Sequence, residues 1–430
     1  MEEDIQIIFE RLRNGVVPER GLHHFEVGTE KTRTELRRQL DLAKAKQGAF
    51  KFLRGGYGCG KTFSARLAIN QALEQNFAAS FVVVSDNDLR FHRFDELYRK
   101  IVSELATAFC ERGALSTILD RWIGNVEDRL IDLGEDDTSD EFDEKVLHHI
   151  EKELHTATGG AVPQDMIRVL KTIFQCKQER NLADAGALLS WLSGGQNVGA
   201  PVKKLAGIKG DIGSSDAMAY LRGVLEIVKL AGFEGLVVVV DEVETILRSR
   251  SDTRRNSLNG IRQIYDASDT YKGLLWLFTG TPEFFDSQKG VKGLQPLHDR
   301  VKFTKSGDFV NVMQPQLELT PFDEPRLKQV ARNLRRIYPY EKERIAKKIT
   351  DEFVDALVQK YVEGFGGKVG IVPRKFLRKF VDILDLVKQY PEYEPDLAEK
   401  IELSAEEKEL VAGDTSWLEG EDEEVEPVVI

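Results

Sequence analysis

Alternation between apolar and polar positions divides the 430-residue chain into stretches with two different periods. Two runs open on five consecutive apolar residues and have strand character, LVVVVDE over 236–242 and LLWLFTGTP over 274–282. AFKFLR (49–54) is a short apolar run with strand character, and FVVVSD (81–86) is a β-rich run bounded by polar residues. Runs without polar alternation predict strands covered on both faces, and helical stretches between them predict a parallel sheet with helices on either side. Helical spacing is expected at Ile5–Leu12, from Thr32 to about Lys46, and after residue 62, where Phe63, Leu67 and Ala72–Leu73 share a stripe. A turn at Pro18–Gly21 separates the first two.

Between 95 and 230 the period is helical throughout. Stripes at Leu97, Ile101, Leu105 and Phe109, at Leu115, Leu119, Trp122, Val126 and Leu130, and at Val146, Ile150 and Leu154 predict a helical insertion. An acid-rich loop (134–141) and a glycine-rich loop (194–216) interrupt it. Helical spacing returns from Asp323 to Tyr390, with stripes at Val330, Leu334 and Ile337 and at Phe353, Leu357 and Tyr361. The expected partition is an N-terminal helical segment (1–48), a sheet-bearing core (49–94 and 221–320), an insertion (95–220), a helical lid (321–392) and a tail (393–430).

Composition adjusts this picture in a few places. A 41% hydrophobic content is ample for a buried core. No apolar run reaches bilayer length, and MEEDIQIIFERLRNG lacks the basic-then-apolar layout of a secretion signal. Three cysteines, Cys59, Cys110 and Cys176, argue against a disulfide framework, so a cytosolic location is expected and no membrane partner. His148, His149 and His155 lack metal-ligand spacing and read as a solvated helix face. The net charge of −12 is concentrated: eleven acids and Lys408 give residues 401–430 a charge of −10, leaving −2 for the rest. That tail is expected to be disordered, while the nearly neutral body can still carry basic patches.

The candidate chemistry centres on Gly55-Gly56-Tyr57-Gly58-Cys59-Gly60-Lys61-Thr62, which matches G-x-x-x-x-G-K-[ST] at every fixed position and lies between a strand-like and a helical run. Glycines let main-chain N–H groups curl around phosphate oxygens, and the following helix offers its positive end. Lys61 would serve the β and γ phosphates, Thr62 would hold Mg²⁺, and Tyr57, Cys59 and Phe63 complete the lining. LVVVVDE places Asp241 and Glu242 at the carboxyl end of a buried strand, where open α/β sheets bind ligands. Asp241 would bind Mg²⁺ and Glu242 would activate the attacking water. No N/T-K-x-D guanine-reading motif occurs, since IKGD (208–211) has the wrong first residue, so ATP is the expected nucleotide.

With both motifs placed, the chain resembles AAA+ P-loop ATPases of the initiator/STAND-related branch. That resemblance implies an α/β AAA+ (ASCE) core with a parallel sheet, a helical insertion and a C-terminal helical lid. FEVGTEKTRTEL (25–36) resembles the branch's adenine-side segment, implying contact by Val27 and Gly28. LLWLFTGTPEFF (274–285) resembles the sensor-1 strand, implying that it lies between the phosphate-loop and acidic strands and that Thr279, or alternatively Thr281, reaches the γ-phosphate. PLHDRV (296–301) resembles the segment presenting an arginine finger in trans, implying Arg300, although a helix-end arginine can equally meet a surface acid. GIVPRKFLRKF (370–380) resembles the sensor-2 helix start, implying Arg374. Over roughly residues 20–390, GGYGCGKTF, VVSDNDLRFHRFDELYRKIV, VVDEVETIL and FTGTPEFF resemble the ATP-binding proteins of BREX phage-defence systems, the BrxC/BrxD group and its smaller BrxD-like members. This implies a homo-oligomer working with a helicase-like or other defence-system protein.

Arg248, Arg250, Arg254 and Arg255 crowd a loop after the acidic strand and are candidates for sequence-independent DNA contact, although Asp252, Asp266 and Asp269 stand nearby. Arg332, Arg335 and Arg336, and Lys375, Arg378 and Lys379, form two further basic clusters. Three other readings remain: a nucleotide-gated scaffold with little hydrolysis, an ATP-dependent DNA-loading clamp or filament, and a small-molecule kinase.

Overall fold

The computed structural model describes residues 2–85, 90–139, 141–307, 309–364 and 373–397. Its main sheet is built from β1 (Ala49–Arg54), β2 (Ala78–Val83), β3 (Leu105–Ala106), β4 (Leu236–Asp241), β5 (Leu274–Gly280) and β8 (Gln316–Glu318), with β6 (Lys305–Ser306) and β7 (Phe309–Val310) forming a separate hairpin. The sheet order is β3-β2-β4-β5-β1-β8, parallel except for the antiparallel edge pair β2–β3. The phosphate-loop strand β1 and the acidic strand β4 thus flank β5, as the sensor-1 resemblance implies.

Side chains alternate along each central strand, so the two faces bury different sets. Val238, Val240, Trp276 and Phe278 face one core, which continues without a break into the helices between 94 and 230. Val237, Val239, Leu275 and Leu277 face the other, covered by the helices Glu30–Lys44 and Lys61–Glu74. Every residue of β4 and β5 is buried, which is why neither shows a polar alternation. A third core joins the first helix, Glu2–Arg13, to the helices Glu324–Ile337, Lys342–Lys348, Asp351–Gly364 and Pro373–Gln389. Arg13 clamps Asp385 there with two bonds of 2.6 and 2.8 Å, and Tyr338 donates to the same carboxylate at 2.7 Å.

Several boundaries differ from the sequence expectation. β2 begins at Ala78 rather than 81, because the small residues Ala78–Ser80 are buried in sheet pairing with β4 despite their weak strand character. The stripe Leu97–Phe109 is not one helix: the helix stops at Ser103, Leu105 enters β3, and Phe109 stands exposed. The glycine-rich segment contains a short helix, Ala200–Leu205. The arginines at 248–255 do not lie on a loop, since a 3₁₀ turn (Val243–Arg248) runs almost directly into the helix Ser251–Ala267. Most of the acidic tail, from 398 on, and residues 365–372 ahead of Arg374 lie outside the described residues.

Beneath β1, the Lys51 ammonium is almost wholly buried and donates to Glu35 at 2.6 Å and to the carbonyls of Val312 and Gln314 at 2.7 Å each. It ties the strand to the helix Glu30–Lys44 and to the segment feeding β8. Removing one partner of a buried pair leaves an uncompensated charge, so Lys51→Met is expected to cost about 3 kcal/mol. A melting temperature and denaturation midpoint equal to those of the unmodified chain would contradict this role.

Candidate nucleotide site

β1 ends at Arg54, whose guanidinium bonds Asp286 and lies over the Phe303 ring at 4.9 Å. The glycine loop starts from this fixed base, and the Gly55 amide donates to Gly280 at the end of β5 at 3.1 Å. Gly58 (φ 74°) and Gly60 (φ 80°) adopt left-handed backbone, which side chains disfavour. Gly60 precedes the helix Lys61–Glu74 without any side-chain cap, so the amides of its first turn stay available for an anion.

Asp241 is buried, and hydroxyls meet both of its oxygens. Thr62 donates to Oδ2 at 2.8 Å, and Thr279 donates to Oδ1. The Thr279 oxygen also accepts the Glu242 amide at 3.1 Å. The ends of β4 and β5 and the first turn of the phosphate-loop helix are thereby joined through one carboxylate. Thr281 caps the helix Pro282–Asp286 by accepting the Phe284 amide, which leaves Thr279 as the hydroxyl facing the carboxylates.

Glu242 has φ 62° and ψ 42°, a left-handed conformation rare for a side chain larger than glycine. Although its surface is exposed, enough protein surrounds the carboxyl to desolvate it. That burial, with Asp241 and Glu244, raises its pKa above the usual range, while Arg374 and Lys61 oppose the rise. Arg374 sits exposed at the start of Pro373–Gln389, its stem beside the turn at Gly15. Strained backbone together with adjacent acids is a combination found at functional sites.

Lys61 does not point freely into the loop. Its ammonium contacts the carbonyls of Gly55 (3.1 Å) and Gly56 (3.3 Å) and Glu244 Oε1 (3.3 Å), with the Tyr57 ring 5.2 Å away. Burial, and secondarily Glu244, push the Tyr57 hydroxyl up to about 12. Glu244 was not among the residues picked out from sequence. Its signal was the third acid in D-E-x-E, which the 3₁₀ turn folds back toward the loop.

The remaining candidates lie apart from this cluster. Val27 and Gly28 precede the helix Glu30–Lys44, and Arg326 of the helix Glu324–Ile337 packs so closely that a Cβ on Gly28 would come within 2.8 Å of its Nε. Arg300 pairs with Asp266 and donates to the Pro296 carbonyl at 2.5 Å, within its own chain. Arg254 donates to the carbonyls of Leu247 (3.4 Å) and Ser249 (2.8 Å), whereas Arg248, Arg250 and Arg255 are exposed. Arg332 and Arg335 are tied to Asp351 and Asp355. These pairings make Arg332 and Arg335 part of an acid-balanced contact between the helices Glu324–Ile337 and Asp351–Gly364.

The residues present fit a nucleotide with its metal. Uncapped amides and a lysine suit a triphosphate, and a hydroxyl beside a carboxylate supplies the hard oxygen donors that Mg²⁺ takes.

A mostly parallel sheet with an intervening strand between phosphate loop and acidic strand, carrying this cluster at its carboxyl end, has the architecture of a P-loop nucleotide-binding protein. The family described as BREX system ATP-binding protein BrxC/D matches residues 1–402, and the chain belongs to it. It is an ATP-binding protein of a phage-defence system. Among solved structures, the Walker-type ATPase paby2304 of Pyrococcus abyssi is similar at 13% identity, over 86% of this chain and 77% of that one, with a TM-score of 0.28. No curated protein matches the sequence. Among the described residues, no helix is long and apolar enough to cross a membrane.

The strain at Glu242 has a measurable counterpart. Because left-handed backbone costs a side chain roughly 1–2 kcal/mol, Glu242→Gly is expected to be about 1 kcal/mol more stable than Glu242→Ala. Equal melting curves for the two variants would show that the conformation carries no strain.

Proposed function

We propose that the chain is a magnesium-dependent ATP hydrolase, acting as an ATP-driven switch or motor subunit of a BREX complex. The observation that carries this reading is the convergence of Lys61, Thr62, Asp241, Glu242 and Thr279 at the ends of β1, β4 and β5. In this reading, 49–94 and 221–320 form the ATPase core, 95–220 the insertion and 321–392 the lid.

The loop amides from Gly55 to Thr62 and the Lys61 ammonium would grip the triphosphate, with Val27 and Gly28 on the adenine side. Thr62 and Asp241 would hold Mg²⁺, which when bound neutralises charge on the phosphate oxygens. Glu242 would orient and deprotonate the attacking water, and its raised pKa favours accepting that proton. Thr279 would fix the Asp241 carboxylate and the Glu242 main chain at once. Arg374 would answer γ-phosphate charge from the lid, a role supported by its electrostatic influence on Glu242. In a homo-oligomer, Arg300 would act on the neighbour's nucleotide after giving up Asp266.

The BREX membership supports a defence-system protein, helicase-like or otherwise, as partner, and a cytosolic setting. The exposed Arg248, Arg250 and Arg255 support contact with DNA phosphates without sequence reading.

Phosphate release tests the chemistry. Glu242→Gln is expected to lose at least about a hundredfold in turnover while still binding ATP, and Lys61→Ala to lose binding. Wild-type turnover by Glu242→Gln would sink the assignment. For DNA, ATP-loaded Glu242→Gln protein is expected to bind duplex with a steep salt dependence. Replacing Arg248, Arg250 and Arg255 by Ala should lower that slope by roughly one per arginine. An unchanged slope would remove these residues from the DNA surface.

A further inference from the structure

The three N–H bonds of Lys61 are fully engaged by the loop and its neighbour. Two reach carbonyls of Gly55 and Gly56, and the third faces Glu244 Oε1 at 3.3 Å. A phosphate can be gripped only if at least one of these partners is released. The carbonyls belong to the loop that would wrap the ligand, whereas Glu244 comes from the 3₁₀ turn behind β4. Its side chain is about nine-tenths buried, and its second oxygen, Oε2, has no hydrogen-bond partner. Lys61 is thus the counterion of a carboxylate that is otherwise half-satisfied. Taking Lys61 away leaves that carboxylate buried, unpaired and close to a triphosphate.

Resting on the ATP reading above, we propose that Glu244 is a positioning residue that holds Lys61 back in the nucleotide-free chain and thereby sets the affinity for triphosphate. The same feature explains why an acid is tolerated at this depth. It is stabilised by Lys61 when the site is empty and opposes the ligand when the site fills. Burial raises the Glu244 carboxyl above the usual range while Lys61 pulls it back, in keeping with one dominant partner. The arrangement favours nucleotide exchange over tight retention.

The test compares wild type, Glu244→Gln and Glu244→Asp in the full chain. Glu244→Gln keeps the shape and removes the charge. It is expected to bind ATP on the order of tenfold more tightly, equivalent to about 1.4 kcal/mol, with slower dissociation. Glu244→Asp, which keeps the charge on a shorter stem, should fall between the two. An independent reading needs no nucleotide: acetylation of Lys61 by an N-hydroxysuccinimide ester, followed by peptide mass spectrometry, should be faster in Glu244→Gln. Unchanged or weaker ATP binding by Glu244→Gln overturns the proposal, as does an unchanged acetylation rate. If neither protein binds ATP saturably, the nucleotide reading itself fails, while the acetylation rates still report whether Glu244 restrains Lys61.

Discussion

A carboxylate sealed at the end of a buried strand must find hydrogen donors or lose its charge, and the architecture here depends on how Asp241 solves that problem. Thr62 of the phosphate-loop helix takes one oxygen and Thr279 of β5 takes the other. Each hydroxyl comes from a different element, so the carboxylate fixes the spacing of the loop, the acidic strand and the strand between them. The apolar layers on either side of β4 and β5 keep water from competing for those bonds. The same two oxygens suit a metal ion. One group therefore serves both as a structural tie and as a candidate ligand.

Around that tie, the protein accepts several locally unfavourable features together. Glu242 sits in left-handed backbone while its main-chain N–H donates a hydrogen bond to the Thr279 hydroxyl, its carboxyl crowded by two other acids. Lys61 is neutralised by Glu244 rather than left open to solvent. The two central strands beside it, β4 and β5, are buried along their whole length, which lets them hold conformations that an isolated turn would abandon.

What could be read from the residues alone follows the same physics. The strands β4 and β5 announce themselves because burial on both faces demands unbroken apolar runs, β1 through its place directly before the glycine loop, and the loop because its backbone demands glycine at fixed positions. β8, three residues long, and the hairpin Lys305–Val310 carry too little pattern to show a period. The Leu97–Phe109 stripe misled because spacing by four is also met by chance across a helix end, and only the β2–β3 pairing reveals the break. Asp241 and Glu242 were legible from their place after a strand. Glu244 was not, since its approach to Lys61 depends on a 3₁₀ turn that brings residues together out of helical register. The pairing of Arg300 with Asp266 lies beyond sequence reading for a similar reason: two helices far apart in the chain had first to be packed.

The contact between Arg13 and Asp385 joins positions 372 residues apart. On a ribosome, Ile8, Phe9 and Leu12 of the first helix emerge well before the helix Pro373–Gln389 that packs against them. At translation speeds of about 5–20 residues per second, tens of seconds separate the two halves of that contact. The order of synthesis thus runs opposite to the order of contact. The face that carries Ile8, Phe9 and Leu12 is completed only when Pro373–Gln389 joins the residues around Leu22 and Tyr338 that also pack there.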